Sequence, residues 1–321
     1  MLTRRAALGA IAGGFAPRTA SAQDYPARPI RMIVPYAAGG ATDILARLLA
    51  AHIDQELKQS VVVDNRGGGA SQVGTQAIAT AAADGYTLGM IDSAFTINPG
   101  LFAGKLPYDT IKDFVAISLV ATAPLVLVAH PALAAATPKE LVALAREKPA
   151  SITFALPGLG TPVHLACEQL RRVGDIDLLV VPYRGGGPAI ADLIAGQVQM
   201  TFATIPSILE HVRAGRVRAL AVVGERSVLL PDVPTIAEAG FPGVDVVLLC
   251  GLVAPAAVPA AIVQRVSDAA AVAVRADPLR SRLVDLGFVP AGTTPDAFRE
   301  RIQADIAKYA RLIEAANIKP N

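Results

Sequence analysis

The stretch Ile30-Arg31-Met32-Ile33-Val34-Pro35-Tyr36-Ala37-Ala38-Gly39-Gly40-Ala41-Thr42-Asp43-Ile44-Leu45-Ala46-Arg47 decides the fold. It opens as an apolar run, breaks at a proline and two glycines, and continues with helical periodicity from Ala41 to Gln55. There Ile44, Leu45, Leu48, Leu49 and His52 share one face. Strand, glycine turn and helix is the repeating unit of a parallel sheet. The rhythm continues outward: Val61-Val62-Val63 is a strand, Val73 to Ala83 a helix and Tyr86 to Ile91 a third strand. β-α-β-α-β implies right-handed crossovers.

The pattern restarts at Pro138 to Lys148, a helix with Thr137 as its cap and proline at its first position. Strands at Ile152–Ala155, Leu178–Val181, Met200–Phe202 and Ala219–Val223 alternate with helices at Pro162–Val173, Ala189–Gly196 and Pro206–Ala214. Between the two units lie β-rich stretches, Phe114 to Ala129 with Pro124 inside it, and Val244 to Ala254. Two crossings between lobes would make a hinge. The C-terminal helices, Ala260 to Arg275, Pro278 to Leu286 and Pro295 to Ala316, then complete the first lobe. The expected division is an export segment at 1–22, lobe one at 23–123 and 250–321, and lobe two at 124–249.

Composition bounds the function. Hydrophobic residues make up 53% of the 321 and charged residues 17%, which excludes a disordered chain and suits sheets covered on both faces. The net charge of +2 and scarce aromatics give no footprint for nucleic acid. Thr3-Arg4-Arg5, the Gly/Ala-rich run Ala6 to Phe15 and Ala20-Ser21-Ala22 read as a cleavable signal peptide. Paired arginines beside a mildly hydrophobic run suggest the twin-arginine route, with an ordinary Sec signal as the alternative. Cleavage after Ala22 leaves 26 basic and 27 acidic residues, a net of about −1. No later run is long enough to span a bilayer, so the mature protein is expected in the periplasm, not membrane-embedded, as a monomer. Cys167 and Cys250 lie in apolar surroundings and read as two buried thiols, although an oxidising compartment leaves a disulfide open.

Four glycine-bearing loops join strands to helices: 35–43, 64–70, 156–162 and 182–188. Glycine admits a ligand close to the main chain. The following helix offers unpaired N–H groups and the positive end of its dipole, so an anion is held without a cationic side chain. Loops one and three should come from opposite lobes, so that two helix N-termini converge. Any single such loop is also an ordinary connector, and Thr42, Asp43 and Thr161 are also ordinary caps. Loop two, with Asp64, Asn65 and Arg66, reads as structural.

Catalytic signals are weak: there is no G-x-S-x-G elbow, Walker loop or dinucleotide fingerprint. His52, His130, His164 and His211 show no metal-ligand spacing, so neither metal nor cofactor is expected. His164, in the first turn after loop three, either touches a ligand or orients the loop. A periplasmic enzyme using His164 or Asp43 is the weakest reading.

Taken together the motifs resemble the Bug family, the substrate-binding proteins of tripartite tricarboxylate transporters. The resemblance runs from about Tyr25 to the C-terminus. It rests on residues 35–47, on Asp84-Gly85-Tyr86-Thr87-Leu88, Ile97-Asn98-Pro99, Leu106-Pro107-Tyr108-Asp109 and Lys112-Asp113-Phe114, and on Gly158 to Leu165, Val181 to Gly185 and Leu230 to Thr235. It implies a type II periplasmic-binding-protein fold, two α/β lobes joined by two crossing strands, closing on a small organic carboxylate. Family pocket positions fall on Tyr36, Gly40, Thr42 and Asp43, with Ser93 a further candidate, in lobe one. In lobe two they fall on Gly160, Thr161, His164, Tyr183 and Ala203. Membrane transporter subunits are the implied transient partners; a membrane sensor reading the same closure is the alternative. Many members carry an acid in place of Ala203, a serine in place of Leu156 and Trp-Phe in place of Leu249-Cys250. Loss of the acid implies a ligand without an amino group, a mono- or dicarboxylate with an apolar or aromatic body.

Overall fold

The computed structural model describes residues 25–315 and 318–319. The signal segment read at 1–22 lies outside the described residues.

The chain opens with β1 (Ile30–Val34), α1 (Ala41–Leu57), β2 (Val61–Asn65), α2 (Gln72–Ala79), β3 (Thr87–Asp92) and α3 (Ala94–Leu101). β1 lies between β2 and β3 and is parallel to both. The buried face of α1 is Leu45, Ala46, Leu49, Ile53 and Leu57, one position round from the face expected; Ile44, Leu48 and His52 sit at its half-buried edge. Helix α3 is not legible as periodicity, because it is short and carries Pro99.

β4 (Phe114–Ala123) runs to the edge of this unit, and Pro124 alone separates it from β5 (Leu125–Ala129) in the other. There follow α4 (Pro138–Glu147), β6 (Thr153–Leu156), α5 (Pro162–Gly174), β7 (Leu179–Pro182), α6 (Gly186–Ile194), β8 (Met200–Thr204), α7 (Ile205–Arg213) and β9 (Arg218–Val222). An irregular segment then leads back to β10 (Leu248–Pro255), α8 (Ala260–Arg275), α9 (Leu279–Leu286), β11 (Val289–Pro290) and α10 (Pro295–Ala315).

Two sheets result, ordered β11-β4-β10-β3-β1-β2 and β7-β6-β8-β5-β9. The strands next to the crossings break the parallel pattern: β10 is antiparallel to β3 and β4, and β5 is antiparallel to β8 and β9. The crossings lie side by side, with Leu248 paired to Ala123. The protein is thus two α/β lobes joined by two crossings.

Each sheet is covered on both faces. In the first lobe α1, α8 and α9 pack on one face, and Phe95, Phe114, Phe298 and Ile302 fill the other. In the second, Phe154, Cys167, Leu170 and Phe202 lie on one side and Ile190, Leu193, Ile208 and Leu209 on the other. A further apolar cluster bridges the lobes, joining Ile97, Leu101, Tyr309 and Ile313 to Leu165 and Val246. Cys167 and Cys250 are in different lobes, both buried and unbridged.

Candidate functional site

A cavity of about 100 Å³ lies between the lobes, at the carboxyl ends of the strands. One water occupies about 10–15 Å³ by this measure, so there is room for roughly seven to ten non-hydrogen atoms. Four helices begin on its wall: α1 at Gly40, Ala41 and Thr42; α5 at Thr161, Pro162 and Val163; α6 at Gly185 and Gly186; and α7 at Thr204 and Ser207. Three of them, α1, α6 and α7, start without a side-chain cap; the first N–H groups of α1 and α6 lack that partner, whereas Ile205 N of α7 donates to Pro124 O at 3.2 Å. Leu125, Val163, Ile190, Phe202 and Leu248 make much of the remaining wall apolar. Among the described residues no lysine, arginine or histidine lines it, and Asp92 is the sole formally charged side chain on its wall.

Loop one is braced from behind. The Asp43 carboxylate accepts hydrogen bonds from Gly39 N (2.9 Å), Arg47 Nε (3.1 Å) and Asn65 Nδ2 (2.9 Å). Burial alone would raise its pKa, but the hydrogen bonds from Arg47, Gly39 and Asn65 outweigh it and hold the carboxyl below its usual value. Asn65 also donates to the Tyr36 carbonyl at 3.1 Å, giving loop two the bracing role its composition suggests. Loop three is held by Thr161. Its hydroxyl donates to Gly158 O (2.9 Å) and accepts from His164 N (3.2 Å).

Of the residues singled out from sequence, Tyr36, Gly40, Thr42, Thr161 and Ala203 are on the cavity wall. The other five stand outside it. Asp43 is the hub just described. The Ser93 hydroxyl donates to Val247 O (3.2 Å) and accepts from Leu249 N (2.8 Å), tying the end of β3 to the returning crossing. His164 is buried, and its Nδ1 faces Gly160 N at 3.3 Å; desolvation lowers its pKa, so it is a neutral brace for loop three. Gly160 packs against Asn98 and Leu101 of the opposite lobe. The Tyr183 hydroxyl donates to Asp192 at 2.8 Å. Leu156, Leu249 and Cys250 are also off the wall, so of the family departures only Ala203 reaches the cavity.

Sequence reasoning missed Asp92, Thr204 and Ser207. Asp92 is the last residue of β3, at the strand end where ligands of such folds sit, and that position was the available signal. Thr204 and Ser207 flank the start of α7, whose connection to β8 has no glycine to mark it. Asp92 Oδ1 accepts from Tyr36 Oη (2.6 Å) and Ala94 N (2.8 Å), while Oδ2 has only a long contact, 3.4 Å, from Thr42 Oγ1. Burial pushes its carboxyl up to about 6, against the lowering effect of these hydrogen bonds.

A family model described as the tripartite tricarboxylate transporter family receptor, TctC, matches residues 45–318. The chain belongs to the TctC family. Among solved structures, the periplasmic binding protein BugD matches this TctC chain with a TM-score of 0.89 at 30% identity, covering 92% of this chain and all of BugD. Rpa4515 of R. palustris, solved with adipate, matches with a TM-score of 0.89 at 31% identity, over 93% of this chain and 100% of its own. MatC of Rhodopseudomonas palustris, solved with bound malate, matches with a TM-score of 0.86 at 30% identity, over 90% of this chain and 100% of its own. The two-lobed α/β arrangement is therefore that of the periplasmic binding proteins of TctC type. TctC proteins are solute receptors, not enzymes.

Proposed function

We propose that this TctC receptor captures a small organic carboxylate between its lobes by hinge closure and delivers it to the membrane subunits of a tripartite transporter. One observation carries the reading: helix N-termini from both lobes converge on a largely apolar cavity that, among the described residues, no cationic side chain lines. An anion placed there is stabilised by unpaired N–H groups and helix dipoles, which need no reorganisation when it arrives. Dipoles from only one lobe would bind an anion without any reason to close. Dipoles from both make the closed form the tighter binder, which is what drives a two-state hinge.

Tyr36, Gly40, Thr42 and Thr161 are proposed to contact the ligand, and Ala203 to face its body. Asp43, Gly160, His164 and Tyr183 hold the loops, and Ser93 holds the crossing. Carboxylates in two family neighbours, adipate and malate, support the ligand class. Export to the periplasm through the N-terminal segment follows from the same reading. Among the described residues no helix is long and apolar enough to cross a membrane.

A thermal-shift screen of mono-, di- and tricarboxylates on the chain from Gln23 onward tests the proposal. Ligand binding to the folded state alone raises the melting temperature, by about 2.7 kcal/mol of added stability at a hundred times Kd. At least one acid should stabilise the protein in this way. If none does at millimolar concentration, the reading fails.

A further inference from the structure

We propose that Asp92 selects carboxylates that carry a hydrogen-bond donor, a hydroxyl or an ammonium group, over the unsubstituted parent acids. The inference rests on the carboxylate reading above and names the feature of the ligand that the cavity recognises.

The geometry leaves one acceptor unused. An ionised carboxylate has about four acceptor positions. Asp92 Oδ1 is taken by Tyr36 Oη and Ala94 N at 2.6 and 2.8 Å. Oδ2 has only the 3.4 Å contact from Thr42, beyond good hydrogen-bond length. Yet Asp92 is 6% exposed and lies on the cavity wall. A buried acceptor with half its capacity unmet is costly, and a donor supplied by the ligand removes that cost.

The charge pattern points the same way. A purely anionic guest would meet the uncapped helix starts favourably but would leave Asp92 facing either its own negative charge or its hydrocarbon. A guest with a carboxylate at the helix starts of the second lobe and a donor toward Asp92 satisfies both. Tyr36 and Ala94 hold Asp92 in place before the ligand arrives, so little ordering is left to be done on binding. The acid missing at Ala203 in the second lobe therefore has a counterpart in the first lobe, on the wall of the same cavity. An amino group, disfavoured on the ground of Ala203 alone, is therefore one of the two donors that Asp92 would accept. Burial that raises the Asp92 pKa to about 6 adds to the demand for a donor.

Matched triples test this at pH 7.5 by calorimetry on the mature chain: propionate, lactate and alanine; succinate, malate and aspartate; glutarate, 2-hydroxyglutarate and glutamate. In whichever triple binds, a substituted acid should bind at least about tenfold tighter than its parent, the scale of one buried hydrogen bond to a charged group. Preference for the hydroxy acid assigns a hydroxyl, and preference for the amino acid assigns an ammonium. In Asp92→Asn, nearly isosteric and checked by circular dichroism, the advantage should collapse while the parent acid binds more tightly. Equal or tighter binding of the parent by the wild type overturns the inference even if the mutant does not fold. An undiminished preference in a folded Asp92→Asn protein overturns it too. If the parent acids bind well and the substituted ones do not, only this inference fails. If no acid in any triple binds, the carboxylate reading fails with it.

Discussion

At the scale of single residues, Asp92 is stabilised least where it is placed. Its carboxyl is buried and raised from its ordinary 3.8 to about 6, so the folded protein holds a proton that the unfolded chain has already lost between those values. Stability from this group is greatest below pH 4 and declines as pH rises through 6. The titratable groups nearest it, Tyr36, Cys250 and Tyr108, are all raised above their usual values and stay neutral over this range. Asp92→Asn should therefore stabilise the empty protein at pH 7.5 by up to about 3 kcal/mol, a shift of about two units at 1.36 kcal/mol each. Urea denaturation at pH 7.5 and 4.5 checks the sign, since the gain should shrink at the lower pH. Gly160 makes a second case. Its φ is +67°, and a Cβ there would overlap Asn98 Oδ1 of the other lobe. Gly160→Ala should weaken ligand binding about tenfold or more by opposing lobe contact, while each lobe still folds; calorimetry beside circular dichroism would show it. The glycine loops between strand and helix are legible in the sequence, and the family resemblance is what singles out Tyr36, Gly40, Thr42 and Thr161 within them. Asp92 is not, since a lone acid after a buried strand looks like any strand terminus until the fold brings Tyr36 to it.

Among elements, the helix starts are the proposed anion holders, and they differ in how they are closed. Thr137 and Thr161 are both capping threonines followed by proline, each accepting from the N–H three residues on, Glu140 and His164. Removing either hydroxyl should cost about 1 kcal/mol of stability. Thr161→Ala should also lower affinity, because Thr161 faces the cavity and holds Gly158, whereas Thr137→Ala should leave affinity unchanged. Paired denaturation and binding curves separate the two. β1 reads off the sequence without error, since apolar residues bounded by proline leave no other assignment. α6 does not: Gly186 and Gly187 suggest a turn, yet the helix begins at Gly186 and the cavity reaches it there. β10 is shorter than its apolar run, because Val244 and Val246 are buried by the irregular crossing, not by sheet pairing.

For the molecule as a whole, closure is the property to measure. Small-angle scattering should give a smaller radius of gyration with a saturating acid than without, and no change would count against the hinge. The order of the chain through the two lobes has a separate outcome. All five strands of the second sheet, β5 to β9, are contiguous between Leu125 and Val222. The first sheet waits for β10 and β11, and its helical cover for α8 to α10. During synthesis the inserted half can therefore mature while its host is still an incomplete ribbon with exposed apolar strands. A fragment spanning 124–247 should show cooperative thermal unfolding by circular dichroism, and one spanning 23–123 should not. The nascent host half is then where a chaperone would be needed, until the segment from Leu248 onward emerges to shelter it.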